Sequence, residues 1–161
     1  MKKIRKFLLI LFSLFFSSYI AIPYSFTLVV LENYALTTSG NPSPLTLNIL
    51  ASGSAEAIDI STTYTVTSNK NQNKHLKITG AITSGGNMPS NTSLTLRLES
   101  SSGTSSGART LSTTPVDLVT NLPAIVTETK PITYTFSIQN GWQVQAQRLT
   151  RAVTLTLVST N

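Results

Sequence analysis

Two hydrophobic patterns divide the chain. Phe7 to Ile22 is an apolar stretch broken only by Ser13, Ser17, Ser18 and Tyr19, and it follows the basic run Lys2, Lys3, Arg5 and Lys6. From residue 26 onward apolar side chains recur at every second position, the spacing that sends alternate residues to opposite faces of a strand. Ile132, Tyr134, Phe136 and Ile138 alternate with Thr133, Thr135 and Ser137, and Leu94, Leu96 and Leu98 with Thr95 and Arg97. Val153, Leu155 and Leu157 alternate with Thr154 and Thr156, and Leu45, Leu47 and Ile49 with Thr46 and Asn48. Strands are also expected at 62–67 and 75–82, and weaker ones at 26–31, 109–112 and 116–119.

A half-apolar strand must have one face covered, so this pattern predicts two antiparallel sheets packed face to face. The fold class expected is all-β: a sandwich of Ig-like or Greek-key type with about seven to nine strands. Turn signals fall between the strands at 39–44, 52–54, 68–74, 84–87 and 139–141, where Gly, Asn, Pro and Ser cluster. The run Ser100 to Gly107 contains no apolar side chain, and a flexible loop is expected there.

The N-terminal pattern is that of an export signal, with a basic flank retained on the cytoplasmic side and an apolar helix that enters the translocon or bilayer. No charge occurs from Phe7 to Leu31, so residues 1–25 read either as a signal peptide cleaved after Ser25 or Ala21, or as an uncleaved signal anchor. Residues 26–161 then form the sandwich domain. Export to the periplasm, the cell surface or the medium is the expected localisation, with membrane contact only through the N-terminal segment.

Composition supports this picture. The 161 residues include 21 Ser and 25 Thr but only 12 Lys plus Arg and six Asp plus Glu, so hydroxyls rather than charges must build the surface. Such a composition disfavours a helical bundle, because Ser and Thr compete for the helical backbone and β-branching costs rotamer freedom. The net charge of +6 belongs mostly to the leader. Past Phe7, eight basic residues face six acidic ones, with no clustered Lys/Arg patch of the kind that binds a phosphate backbone. Nucleic acid is therefore not an expected partner. There is no cysteine, which removes disulfides, thiolate metal sites, cysteine nucleophiles and a lipid-anchoring cysteine. Stability must come from a core that about 135 residues are enough to build.

Candidate chemistry is sparse. His75 is the only histidine, and Asp59 or Asp117 could complete a serine-based triad with it, but no G-x-S-x-G elbow occurs. A surface histidine in a non-catalytic protein is the expectation, with no metal and no cofactor. Glu56 and Asp59 are the closest carboxylates in sequence. Beside Ser52-Gly53-Ser54 they read as an acidic loop or at most a weak Ca²⁺ site, although two carboxylates could also serve glycoside hydrolysis. Trp142, the only tryptophan, could form with Tyr134 and Tyr64 a stacking platform for a sugar ring, against the alternative of a loop aromatic capping the sandwich. Asn91-Thr92-Ser93 fits a glycosylation sequon, and a lysine-based isopeptide cross-link would suit a cysteine-free surface protein.

Four segments carry a resemblance: Thr62 to Asn69, Ala108 to Ser112, Ile132 to Ser137 and Arg151 to Leu157. Their Thr-rich alternation resembles that of small exported bacterial β-sandwich proteins, the spore coat protein U type and pilus or fimbrial subunits, though the chain lacks the cysteine pair common among them. The resemblance implies secretion, surface assembly and strand exchange between subunits. A structural or adhesive surface component is thus expected, self-associating or binding other surface proteins by edge-strand addition. Residues 26–31 would be the donor strand and 151–159 the receiving edge. A secreted carbohydrate-binding module with a glycan partner is the alternative.

Overall fold

The computed structural model describes residues 34–45, 47, 53–69, 74–140 and 148–160, all within the compact unit Glu32–Asn161. The N-terminal segment 1–25, the anticipated strand at 26–31, most of that at 45–49, and Trp142 lie outside the described residues; Leu45 and Leu47 are described and belong to no strand. Nine strands are formed: β1 Tyr34–Ser39, β2 Ala55–Asn69, β3 His75–Ser84, β4 Thr92–Leu98, β5 Thr104–Ser105, β6 Arg109–Thr110, β7 Val116–Leu122, β8 Ile125–Ile138 and β9 Ala152–Thr160. No helix occurs among the described residues, and the all-β expectation is met.

Two antiparallel sheets result. The five-stranded sheet has the order β1-β2-β8-β4-β6, and the four-stranded sheet the order β5-β7-β3-β9. Every connection from β2 to β9 passes from one sheet to the other. Only β1 and β2, neighbours in sequence, are also neighbours in a sheet.

The longest ladder joins β2 to β8, from Ala55↔Ile138 to Asn69↔Ile125. Its register shifts between Asp59 and Thr62, and this bulge exchanges the two faces of β2. Before it Ile58 and Ile60 point outward, 61% and 66% exposed, while Asp59 is enclosed; after it Tyr64, Val66 and Ser68 turn inward. Tyr64 and Val66 meet Leu76 and Ile78 of β3, Leu96 of β4, Leu118 of β7 and Ile132 of β8 in a single buried cluster drawn from both sheets. Outward positions carry hydroxyls, as in the Thr65–Thr129 pair across β2 and β8, whose Oγ1 atoms lie 2.8 Å apart.

Two expectations are corrected. Glu56 and Asp59 do not sit in a loop but on β2. Their segment, AEAIDIS, puts its isoleucines outside, which inverts the usual inward apolar alternation. Strand β1 carries little periodic signal, because Tyr34–Ser39 offers one inward apolar residue, Leu36, between Ala35 and Thr37. Nor is Ser100 to Gly107 a loose loop. It contains β5, paired Thr104↔Thr120 and Ser105↔Val119 with β7, and the Ser106 amide donates to the Leu118 carbonyl at 2.8 Å.

Gly80 lies within β3, paired with Val116 of β7 and Leu155 of β9. A Cβ there would stand 2.6 Å from Leu118 Cδ1 and 3.4 Å from Leu155 Cδ2. Gly80→Ala is expected to overpack the core and to cost about 1–3 kcal/mol, read as a lower urea midpoint with an unchanged slope.

Candidate functional site

The residues with chemical potential are dispersed. His75 opens β3 on the surface, and its backbone carbonyl accepts a hydrogen bond from Thr160 Oγ1 at 3.0 Å. Asp117 is engaged with Lys77 at 2.9 Å, and Glu99 with Arg97 at 2.6 Å. Glu56 accepts from Ser137 Oγ at 3.1 Å on the exposed face. Three positions further along the same strand, Asp59 faces the other way. It accepts from the Ser61 amide (3.1 Å), the Ser61 hydroxyl (2.8 Å to Oδ1) and the Ser43 amide (3.2 Å). The pair converges on no common point, and no group of three acidic or histidine side chains suited to a metal occurs among the described residues.

The aromatic platform loses a member. Tyr64 is fully buried and its ring belongs to the core, so it has no face to offer a sugar. Its hydroxyl lies 2.5 Å from the Glu99 carbonyl and 3.1 Å from Glu128 Oε1. Burial, reinforced by the Glu128 charge, pushes its phenol well up from the usual range. Tyr134 is half-buried on the inward face of β8, packed against the core and paired with Asp59 across the ladder. Burial also raises its phenol. The mistake concerning Tyr64 has a simple origin: period two says that Tyr64 and Val66 share a face, not which face is inside.

What the strands leave open is an edge. Strand β9 pairs with β3 on one side, and no described residue pairs with its other side. Strand β1 is likewise an outer strand of the five-stranded sheet, and the two outer strands come into contact across the same flank. Burial falls off toward this flank. The inward residues Val153, Leu155 and Leu157 of β9 and Leu36 of β1 are packed against the core but only partly covered. Along β9, partly covered apolar side chains coincide with backbone groups that no described strand pairs, the combination an added strand satisfies. Sequence alternation located β9, but its position at an edge is a property of the topology.

No known family model matches the chain, and no curated protein or solved structure matches it significantly either.

Two carboxylates are held below their ordinary range. Burial works against the charge on Asp59, but the Ser61 hydroxyl and the Ser61 and Ser43 amides outweigh it. For Glu128 the same penalty is outweighed by the Ser100 hydroxyl and the Ser101 and Ser102 amides. A carboxylate with a depressed folded-state pKa contributes stability that is complete above its unfolded value, about 4, and is lost as pH falls through the folded value. Thermal midpoints are therefore expected to be flat from pH 7 to about 5 and to drop below about 4. Asp59→Asn should lower the neutral-pH midpoint and flatten the acid limb; an unchanged acid limb would remove Asp59 from this account.

Proposed function

We propose that the protein is an exported, non-catalytic structural or adhesive component of the cell surface, folded as a Greek-key β-sandwich of Ig-like type, and that it assembles by edge-strand addition at β9. The observation that carries this reading is the composition of that edge. Ala152–Thr160 (AVTLTLVST) contains no charge and no proline, is rich in β-branched residues, and runs for nine residues. Free edges of that kind template aggregation unless something covers them, and proteins that do not use them blunt them with lysine, proline or a bulge. The basic and apolar leader, the hydroxyl-rich outer faces and the Thr-rich alternation resembling fimbrial subunits point the same way.

Residues 26–31 (FTLVVL) have the apolar alternation that an occupant of this flank needs. Tyr34 pairs with Ser68 near the end of β2, and Thr160 pairs with His75 at the start of β3. Five residues join Asn69 to His75, so Tyr34 and Thr160 lie at the same end of the sheets. A donor from the same chain, entering from that end, would run parallel to β9; a donor from a second copy is free to run antiparallel.

Deleting residues 26–33 leaves β1 intact and should abolish self-association while preserving the circular-dichroism spectrum and the unfolding free energy to within about 1 kcal/mol. Unaltered oligomerisation in sedimentation velocity would eliminate the donor segment. Fractionation of the native cells tests the location independently: recovery of the product in the cytosol would overturn the surface reading as a whole.

A further inference from the structure

The four-stranded sheet has a second edge, and it is treated differently from the first. Strand β7 would be an outer strand were it not for β5, two residues long, laid along it. The segment that carries β5 has no hydrophobic side chain between Ser100 and Gly107, so burial of apolar area does not hold it in place. Hydrogen bonds do. Ser100 Oγ donates to Glu128 Oε1 at 2.6 Å, and the Ser101 and Ser102 amides donate to Oε2 at 3.1 Å each. The Gly103 amide closes the turn on Ser100 Oγ at 2.9 Å, and Ser105 Oγ donates to the Leu98 carbonyl at 2.5 Å. One carboxylate thus fills a nest of donors contributed by three consecutive residues.

We propose that Ser100–Ser105 is a releasable cap over the β7 edge, held shut by the Glu128 carboxylate. Three features make the cap detachable. Its hydrogen bonds are to polar groups, and its apolar contact is confined to Gly103, which lies over Leu122 and Val119, so opening exposes a small apolar area. Ser101 and Ser102 are already exposed, so their amides can turn to water once the carboxylate lets go. Finally, the anchor is a single ionisable group, and protonation removes the charge that made these bonds stronger than neutral ones. The groups around it do not replace that charge. Tyr64, from β2, is a donor to Glu128; Glu99, after β4, is turned to Arg97; and Lys130 lies two residues along β8, as the register partner of Tyr64. The direction of the Glu128 shift, downward, places release in acid, below the ordinary carboxylate range.

Opening would uncover a second strand edge in the sheet that already ends in β9. The cap itself is independent of the proposed function; its consequence for assembly rests on that edge-strand reading.

The test is amide hydrogen exchange on the full chain, compared as protection factors between pH 7 and pH 3. The Ser106 amide, which bridges the cap to the Leu118 carbonyl, reports the cap; the Ile82 and Leu111 amides, bonded to the Ser112 and Leu94 carbonyls, report the rest of the fold. Protection at Ser106 is expected to fall roughly tenfold or more in acid, the scale of one charge-assisted bond, while Ile82 and Leu111 keep theirs. Glu128→Gln should show the loss already at pH 7. Gly103→Ala supplies an independent opening, because its Cβ would stand 2.7 Å from the Thr120 carbonyl oxygen and push the segment off β7 at every pH without touching the anchor. If Ser106 tracks Leu111 across pH, or keeps its protection in both variants, the cap is refuted. Light scattering on the same samples separates the two ideas: a rise in mass whenever the cap is open supports strand addition at β7, and an open cap with unchanged mass refutes that consequence while the cap stands.

Discussion

The β2–β8 ladder is the constraint on which the rest of the structure depends. Its strands, 15 and 14 residues long, are the longest described, and they bring together side chains 64 residues apart in sequence. β1 and β4 are placed in their sheet by pairing with this ladder, and β6 in turn by β4. Its inward face forms the floor on which β3 and β7 pack. No short hairpin nucleates it, since every connection between β2 and β9 changes sheet. Such non-local pairing must meet its loop-closure cost before burial repays it. The Asp59–Thr62 bulge is part of the same constraint: without that extra residue, one half of β2 would send Tyr64 and Val66 into water.

Hydroxyls and backbone amides do here what disulfides or ion pairs do in other small domains. The two described ion pairs, Lys77–Asp117 and Arg97–Glu99, are exposed and worth little. Asp59 and Glu128 are instead each enclosed and saturated by serine donors, which fastens residue 43 to β2 and residues 100–102 to β8. Hydrogen bonds to a charged acceptor are stronger than neutral ones, so these serine-containing segments are held by the carboxylates they meet.

That explains where the sequence was legible and where it was not. Alternation located β3, β4, β9 and the later half of β8, because each turns three or more apolar residues to one face at period two. It missed the early half of β8, where the inward positions include Glu128 and Lys130 and the outward ones include Pro131. It missed β5 because what orders that strand is a carboxylate 20 or more residues away, and composition alone reads Ser-Ser-Ser-Gly as slack chain. Asp59 and Glu56 looked like loop acids because Ile58 and Ile60 face outward beside a bulge, and a bulge leaves no mark in periodicity. Trp142 and the leader were the most conspicuous sequence features, and both fall outside the described residues.

The unequal treatment of the two edges of the four-stranded sheet bears directly on function. Covering β7 takes only two paired residues, Thr104 and Ser105, with the loop that carries them fixed by hydrogen bonds; the nine residues of β9 receive nothing of the kind from the described chain. Among the described residues the longer and wholly uncharged edge is the one left uncovered, and such an edge has the greater tendency to recruit foreign strands. Mutation to a single outward lysine would suffice to blunt it. An edge of Val, Thr and Leu beside core residues that are only partly covered is, on physical grounds, the place where an added strand would gain most, which is why the proposed assembly is assigned to it.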